Sequence, residues 1–371
     1  MDPVTHALSG AVLVCNLPPR YRAGWMPLWG ALVSACPDID ILFIQTPLEY
    51  ILWHRGPTHS LPGIALIAVL AAAILLATLA LCRRREAPGT RPELSGWTLP
   101  RAWRLAFALL LLHVWLDCVT SYGTQVFWPF SDCRVRFSGL FIVDALLLVP
   151  LAAGLLFGRA SRKIMAGLLI WCLVYPAGAC LARPLLERSL AATLPSVVAG
   201  GKSVQAVNLT PDLGAPFFWK AVIDTPADRL SAPWPAGAAA PERFDVWPMP
   251  PEPLWSKLAA EDRTFAAYKA FAQFPVLEET RLESDGARVD VFTDLRFGSN
   301  VAIVRRIQKT DENVDKIFRI MARLAPGDIL TGVRFRVALG GGGDSGWQSP
   351  RPPIPSDAVW RSLFPAGLCR P

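Results

Sequence analysis

Long apolar segments in the first half of the chain are the feature that most constrains its fold. A helix that spans a membrane needs about 20 mostly apolar residues. Four segments approach or meet this requirement: Leu61–Leu81, Leu105–Thr120, Leu140–Phe157 and Ile164–Ala182. The sequence therefore predicts a membrane all-α helical bundle with about four full spans.

Two earlier apolar segments are less regular. Val4–Leu17 is too short to span a bilayer alone, and Trp25–Thr46 is long enough but is interrupted by Pro37, Asp38 and Asp40. Short or broken segments are tolerated at membrane depth only where they are buried in protein or line a watery cavity. We therefore expect one or two short or broken N-terminal segments beside the four spans.

The composition is typical of a membrane protein. Hydrophobic residues make up 52% and charged residues 18% of the chain, whereas soluble proteins carry about 25% charged residues. The first 190 residues hold 16 basic and 10 acidic residues, so they carry six of the seven net positive charges. A charge excess in the apolar half indicates membrane topology, and we expect no direct binding to nucleic acid.

The distribution of Lys and Arg predicts the orientation, because short cytoplasmic loops are rich in both residues. The loop from Arg83 to Arg104, the turn from Gly158 to Lys163, and the pair Arg20 and Arg22 are therefore predicted to be cytoplasmic. The opposite, outer side then receives the N-terminus, Pro37–Ser60, Ser121–Gly139 and everything after about Arg183.

The second half of the chain reads as a soluble domain on that outer side. We expect a membrane domain over residues 1–190 and an extracytoplasmic, periplasmic α+β domain, rich in β-strands, over residues 191–371. Period-two alternation predicts strands at Ser203–Asn208, Phe217–Asp224, Arg243–Trp247, Ala287–Phe297 and Ile329–Leu339. Helices are predicted at Glu261–Gln273 and Val314–Leu324, and loops or edges at Pro226–Pro253, Pro350–Pro355 and Gly340–Gly343.

The eight cysteines indicate neither a disulfide framework nor a zinc knot. No pair forms a CxxC motif, and most of them lie inside apolar runs. We expect them to act as small buried apolar side chains.

The polar residues of the apolar half carry the functional information. All four histidines lie in the first third of the chain, within or beside membrane segments, where ionisable groups are costly and usually mark function. His113 and Asp117 are four residues apart and share one helix face. His54 and His59 flank a Gly-Pro turn. The predicted topology brings these residues to one depth near the outer face, together with His6, Asp38, Asp40 and Asp144.

Imidazole and carboxylate groups together suit zinc, manganese or iron, and one or two ions would satisfy this many ligands. A bound metal lowers the pKa of water to about 7 and polarises a carbonyl or phosphoryl oxygen. Arg55 is placed to hold an anionic oxygen, and Asp38 or Asp40 to act as a general base. Structural roles remain open for single residues, because Asp38 and Asp40 suit helix caps, and His113 suits a hydrogen bond between helices.

The motifs THALSG, PDID, HRGPTHS and HVWLDCVTSYGTQVFWPF resemble the bacterial YdjM-like family. The resemblance is strong over about residues 1–160. It implies an inner-membrane metal-dependent hydrolase, and it implies a LexA-type repressor as a partner. By this resemblance, six residues match motif positions expected to carry metal: His6, Asp38, Asp40, His54, His59 and Asp117. His113 also lies within a matching segment.

The favoured interpretation is an enzyme, an integral inner-membrane hydrolase that uses a divalent metal, most simply zinc. Its substrate would be an ester or phosphoester, and the membrane depth of the site favours a lipid-like one. The alternative is a non-enzymatic membrane protein with a structural metal or a regulatory partner. The second half contains no G-x-S-x-G nucleophile motif, so all the candidate chemistry lies in the membrane half.

Overall fold

The computed structural model describes residues 1–85, 96–159, 161–198, 200–298, 318–337 and 343–353. They form two compact units. The membrane unit comprises Met1–Asp40 and Arg55–Leu181, and the β-rich unit comprises Ile41–His54 and the described residues from Ala182 onward. The segment Ile41–His54 thus interrupts the membrane unit in sequence and belongs to the other unit.

The membrane unit is built from helices. Their bounds are α1 (Pro3–Cys15), α2 (Met26–Ala35), α4 (Leu61–Arg84), α5 (Leu99–Cys118), α6 (Ala145–Phe157) and α7 (Arg162–Thr193), of which α7 continues into the β-rich unit. Among the described residues, four helical stretches are long and apolar enough to cross a membrane: Met26–Phe43, Leu61–Arg84, Leu99–Cys118 and Arg162–Thr193. The predicted bundle of about four spans is confirmed.

One of the four stretches differs from the prediction. Leu140–Phe157 shortens to the 13-residue helix α6, because the Asp144 side chain accepts a hydrogen bond from the Leu147 amide at 2.9 Å and so starts the helix there. Met26–Phe43, predicted as a broken segment, is helical throughout. Pro37 changes only the type of helix, from α-helix to a 3-10 turn over Cys36–Phe43.

Close approach of the helix backbones holds the N-terminal helices together. A Cβ atom added to Gly10 would lie 2.4 Å from the Gly30 carbonyl oxygen, so α1 and α2 meet at two glycines. Small residues on α4 and α5, including Ala72 and Ala106, are fully buried in the same core as Leu109. This packing places the C-terminal end of α5 among the other helices.

The β-rich unit contains three antiparallel sheets. A four-stranded sheet has the order β3-β4-β5-β6, a five-stranded sheet has the order β11-β10-β9-β8-β7, and β1 pairs with β2. The strands of the four-stranded sheet are β3 (Ala206–Pro211), β4 (Phe218–Asp224), β5 (Asp228–Pro235) and β6 (Asp245–Pro248). Those of the five-stranded sheet are β7 (Pro275–Leu282), β8 (Arg288–Asp294), β9 (Phe318–Ala325), β10 (Ile329–Val337) and β11 (Gly343–Asp344). The remaining elements are β1 (Val197–Val198), β2 (Lys202–Ser203), α3 (Pro47–Trp53), α8 (Glu252–Glu261) and α9 (Arg263–Phe271).

Most of the predicted strands and the helix at Glu261–Gln273 agree with this architecture. The helix predicted at Val314–Leu324 is wrong over its described part, because β9 begins at Phe318 and pairs with both β8 and β10. The stretch Pro226–Pro253, predicted as loops or edges, contains β5 and β6. Gly340–Gly343 lies outside the described residues except for Gly343.

The cysteines follow the prediction in part, because Cys15, Cys118 and Cys172 are buried whereas Cys36, Cys82 and Cys180 are half-buried. Six of the described ones are free thiols: Cys15, Cys36, Cys82, Cys118, Cys172 and Cys180. Cys133 is disulfide-bonded.

Candidate metal centre

The last turn of α5 brings His113 and Asp117 together. Both side chains are fully buried, and His113 Nε2 lies 3.2 Å from Asp117 Oδ2. His113 Nδ1 lies 2.7 Å from the Ser34 carbonyl oxygen. Because a carbonyl only accepts, Nδ1 carries a proton, which leaves Nε2 as the ring nitrogen that can bind a metal.

Two turns next to helices supply the neighbouring groups. Asp38 lies in the 3-10 turn after α2, and His59 ends the Pro57–His59 turn that precedes α4. His59 Nε2 lies 3.3 Å from Asp38 Oδ1 and 3.3 Å from Asp117 Oδ2. On the other edge of the ring, His59 Nδ1 lies 2.9 Å from the Thr58 hydroxyl. This contact holds the ring so that Nε2 points at both carboxylates.

Asp38, His59, His113 and Asp117 form a group that can hold a metal ion. Each offers one ligand atom, and these atoms all lie within 4.8 Å of one another. Donor atoms on one zinc ion at about 2.0–2.2 Å lie about 3–4 Å apart, so small side-chain movements would complete a shared site. The donor set of two imidazoles and two carboxylates suits zinc, manganese or iron.

Unsatisfied polar atoms also indicate a cation. Asp38 Oδ2, His113 Nε2 and Asp117 Oδ2 are buried and make no hydrogen bond. Buried polar atoms are nearly always paired, and buried carboxylates without a partner are costly. A cation bound by His113 Nε2, Asp117 Oδ2 and the Asp38 carboxylate would offset that cost, so the residues present fit a divalent metal.

Arg55 and His6 approach Asp117 from its other oxygen. Arg55 places a guanidinium nitrogen 3.0 Å from Asp117 Oδ1 and donates to the Thr120 hydroxyl at 2.8 Å. His6 Nε2 lies 3.2 Å from the same Oδ1, and the His6 ring stacks on that of His113 with centroids 3.7 Å apart. The Met1 amine donates to Oδ1 as well. Oδ1 is thus neutralised by protein groups, while Oδ2 faces the candidate metal position.

Asp40 lies beside the group. Its Oδ2 is 3.5 Å from His59 Nδ1, and it accepts hydrogen bonds from the Arg55 amide at 3.1 Å and the Thr58 hydroxyl at 3.3 Å. Arg55 adopts a φ of 57°, an uncommon backbone conformation for a residue other than glycine. Asp40 therefore helps to fix the turn that carries His59.

Two of the residues considered from the sequence lie elsewhere. His54 belongs to the β-rich unit, where its ring is 4.7 Å from that of Tyr50, and it is not part of the four-residue group. Asp144 caps α6 and accepts a hydrogen bond from the Tyr175 hydroxyl at 2.9 Å, which is a structural role.

The groups that orient the candidate ligands were not predicted from the sequence. The Ser34 carbonyl fixes His113, Thr58 fixes His59, and Thr120 fixes Arg55. Thr58 and Thr120 lie inside the HRGPTHS and HVWLDCVTSYG motifs, so their position there was a usable signal. A backbone carbonyl such as that of Ser34 leaves no mark in the sequence.

The fold and this geometry define a multi-pass membrane protein with a buried His and Asp group able to hold a metal. Residues 1–185 match the YdjM inner membrane protein family, and the chain belongs to that family through its N-terminal half. The chain is also similar to the uncharacterized protein YfhP of Bacillus subtilis (strain 168), with 30% identity over 139 residues. That match covers 35% of this chain and 38% of YfhP. No solved structure is significantly similar to the chain.

Proposed function

We propose that this inner membrane protein is a metal-dependent hydrolase that cleaves an ester or phosphoester at the periplasmic side of the membrane. The observation that carries the proposal is the convergence of Asp38, His59, His113 and Asp117 on one point, with donor atoms that lack hydrogen-bond partners. Ionisable groups at membrane depth are expensive and usually serve function.

The four residues of the group would hold the ion, with zinc the simplest choice for this donor set. When bound, such an ion supplies Lewis acidity, which polarises a carbonyl or phosphoryl oxygen and favours attack by water. Arg55 keeps Asp117 oriented through Oδ1. Arg55 is thereby a positioning residue rather than a free binding site for an anionic oxygen.

Asp38 is the best placed general base. Its side chain is 10% exposed, whereas those of His59, His113 and Asp117 are fully buried, so Asp38 is the most exposed member of the group. Asp38 Oδ1 faces His59, and Asp38 Oδ2 has no hydrogen-bond partner. With Oδ1 holding the ion, Oδ2 would be left to take a proton from an attacking water molecule.

A sequence pattern and a disulfide support a periplasmic site. The positive-inside pattern predicts that the C-terminal end of α5 lies on the outer side. Cys133 follows that end of α5 in sequence and is disulfide-bonded, and disulfides persist in oxidising compartments such as the periplasm. The position of the site beside apolar helices favours a lipid-like substrate.

The test uses the full-length protein, purified in detergent without chelators and offered phospho- and carboxyl-ester lipids. We expect metal-dependent hydrolysis of one class, lost in His59→Ala and kept in Asp144→Asn, because Asp144 is a buried carboxylate outside the group. Equal turnover by the wild type and His59→Ala would contradict the proposal.

A second candidate function is a purely structural metal, favoured by the full burial of His59, His113 and Asp117. A structural ion would keep all its coordination positions filled by protein and would resist a chelator under native conditions. Rapid removal by chelator with retained helicity would favour catalysis instead. Partnership with a LexA-type repressor is a separate proposal, which binding of a purified repressor to the protein in nanodiscs would test.

A further inference from the structure

The two ends of the four-stranded sheet differ in charge. At one end, the turn between β4 and β5 carries two ion pairs, Arg229 with Asp224 at 2.8 Å and Lys202 with Asp228 at 2.6 Å. At the other end, residues 211–219 and 233–240 contain a single ionisable side chain, that of Asp212, which is buried.

Large apolar side chains protrude from the uncharged end. Leu213, Phe217 and Phe218 are 40%, 60% and 52% exposed. Leu213 and Phe217 lie in the connection between β3 and β4, and Phe218 is the first residue of β4. We call these three residues the apolar tip. An exposed group of aromatic and aliphatic side chains with no charged rim on its own loop is typical of a surface that meets an apolar partner.

Helix α7 determines which way the apolar tip points. Leu194, directly after α7, packs against the cluster of Ile223 and Leu230 and also against the cluster that contains Trp219. Earlier on the helix, Leu186 and Leu190 pack in the cluster that contains Trp219. Moving back along α7 therefore corresponds to moving along β4 from Ile223 to Trp219, toward the apolar tip.

One hydrogen bond allows positions along helix α7 to be compared with positions along strand β3. The Leu209 amide donates to the Glu187 carboxylate at 2.8 Å, so these residues lie at the same level. From Glu187 back to Ala182 the helix rises about 7.5 Å. From Leu209 to Pro211, where β3 ends, the strand advances about 7 Å, and the turn that carries Leu213 and Phe217 follows directly. The apolar tip therefore reaches the level at which the apolar stretch of α7 ends and its charged residues begin.

We propose that the apolar tip inserts into the interfacial region of the lipid leaflet at which α7 leaves the membrane. The partner is the phospholipid bilayer itself, because the tip offers aromatic and aliphatic groups without countercharges, as membrane-interface anchors do. The charged turn at the opposite end of the sheet then faces water. The β-rich unit is in this way attached to the bilayer at a second place besides α7.

The test places a fluorescent NBD label on Phe217→Cys in the full-length protein, reconstituted in phosphatidylcholine liposomes. Leu282→Cys is the matched control, because Leu282 is 77% exposed at the end of β7 in the other large sheet. The parent protein, labelled in parallel, gives the background from its own thiols.

At position 217 we expect at least threefold stronger quenching by doxyl-labelled lipid than at position 282, and weaker quenching by iodide in the water. Strong iodide quenching at both positions would overturn the proposal, and so would protection of position 217 from both quenchers, which indicates burial against protein. If Phe217→Cys unfolds, the same measurement at Leu213→Cys decides the question.

Discussion

Both units of this protein bury charged side chains, but they satisfy them differently. In the β-rich unit, Asp294 accepts four hydrogen bonds, two of them from Arg296, and the Arg296 guanidinium lies 4.7 Å from the ring centroids of Phe271 and Phe297. In the membrane unit, Asp38, His113 and Asp117 each keep a buried atom without a hydrogen bond.

The difference separates a structural charge network from a candidate functional one. The pair Asp294 and Arg296 needs nothing further, because each charge is compensated within the β-rich unit. The membrane group contains two carboxylates beside imidazole nitrogens, and a cation bound there would satisfy the buried atoms that make no hydrogen bond. Substitutions in the two networks should therefore have different consequences.

The largest effect is expected for Asp117→Asn. This change keeps the shape of the side chain but removes the negative charge that faces His59 and His113, so we expect the affinity for zinc to fall at least 100-fold. Isothermal titration of the detergent-solubilised protein measures it. Asp144→Asn is the control and should keep the wild-type affinity. Undiminished zinc binding by Asp117→Asn would show that Asp117 is not a metal ligand.

Arg296→Met should lower the stability of the β-rich unit and leave zinc binding unchanged, in contrast to Asp117→Asn. Loss of one partner of a buried ion pair leaves the Asp294 charge uncompensated and costs about 3–5 kcal/mol of stability. We expect a lower denaturant midpoint for the β-sheet signal in circular dichroism, with zinc affinity unchanged. A variant that loses zinc as readily as it loses sheet structure would show that the two networks are not separate.

Thr120→Val should have a smaller effect on the metal. The change removes the hydroxyl that receives Arg55 at 2.8 Å, so Arg55 holds Asp117 less firmly. Changes to groups that orient metal ligands typically lower affinity about 10–100-fold, and we expect the lower end of that range. Thr78→Val is the matched control, because its hydroxyl bonds only to the Ile74 carbonyl on an exposed face of α4. Equal affinities for both variants would contradict the role of Thr120.

The smallest effect concerns acid stability of the β-rich unit. Burial opposes the charge on Asp294, but Arg296 and the backbone amides outweigh it and hold the pKa of Asp294 below its usual value. The stability that this carboxylate contributes is fully present above its unfolded pKa, near 4, and is lost only as the pH falls through the lower folded value. Denaturation of the wild type and Asp294→Asn between pH 7 and pH 3 should show a constant difference down to about pH 4. If the stability difference between the wild type and Asp294→Asn already shrinks near pH 6, the pKa of Asp294 is not lowered and the prediction is wrong.

The sequence predicts the parts of the fold that depend on local pattern. Hydropathy identified the long spans α4 and α7, and period-two alternation identified β4 and β10. The local pattern did not predict strand β9, because β9 is stabilised by pairing with β8 on one side and β10 on the other. It also failed to place α3, because Tyr50 packs near Phe318, 268 residues away in the chain, at 6.0 Å between ring centroids.

The site was predictable to a similar degree. Helical spacing brought His113 and Asp117 to one face, and the topology brought His59 and Asp38 to the same depth. The position of His54 was not predictable, because it depends on the packing of the segment Ile41–His54 with the β-rich unit. Nor did the sequence indicate that Arg55 would bind Asp117, since that contact depends on the left-handed backbone of Arg55 and on the Thr120 hydroxyl.

The most direct test of the central claim is X-ray absorption spectroscopy of the full-length protein, purified without chelators and loaded with zinc. The account predicts about one or two zinc ions per chain, with a first shell of nitrogen and oxygen at about 2.0–2.2 Å and no sulfur. Failure to retain zinc, or a shell dominated by sulfur at about 2.3 Å, would contradict a metal centre built from Asp38, His59, His113 and Asp117.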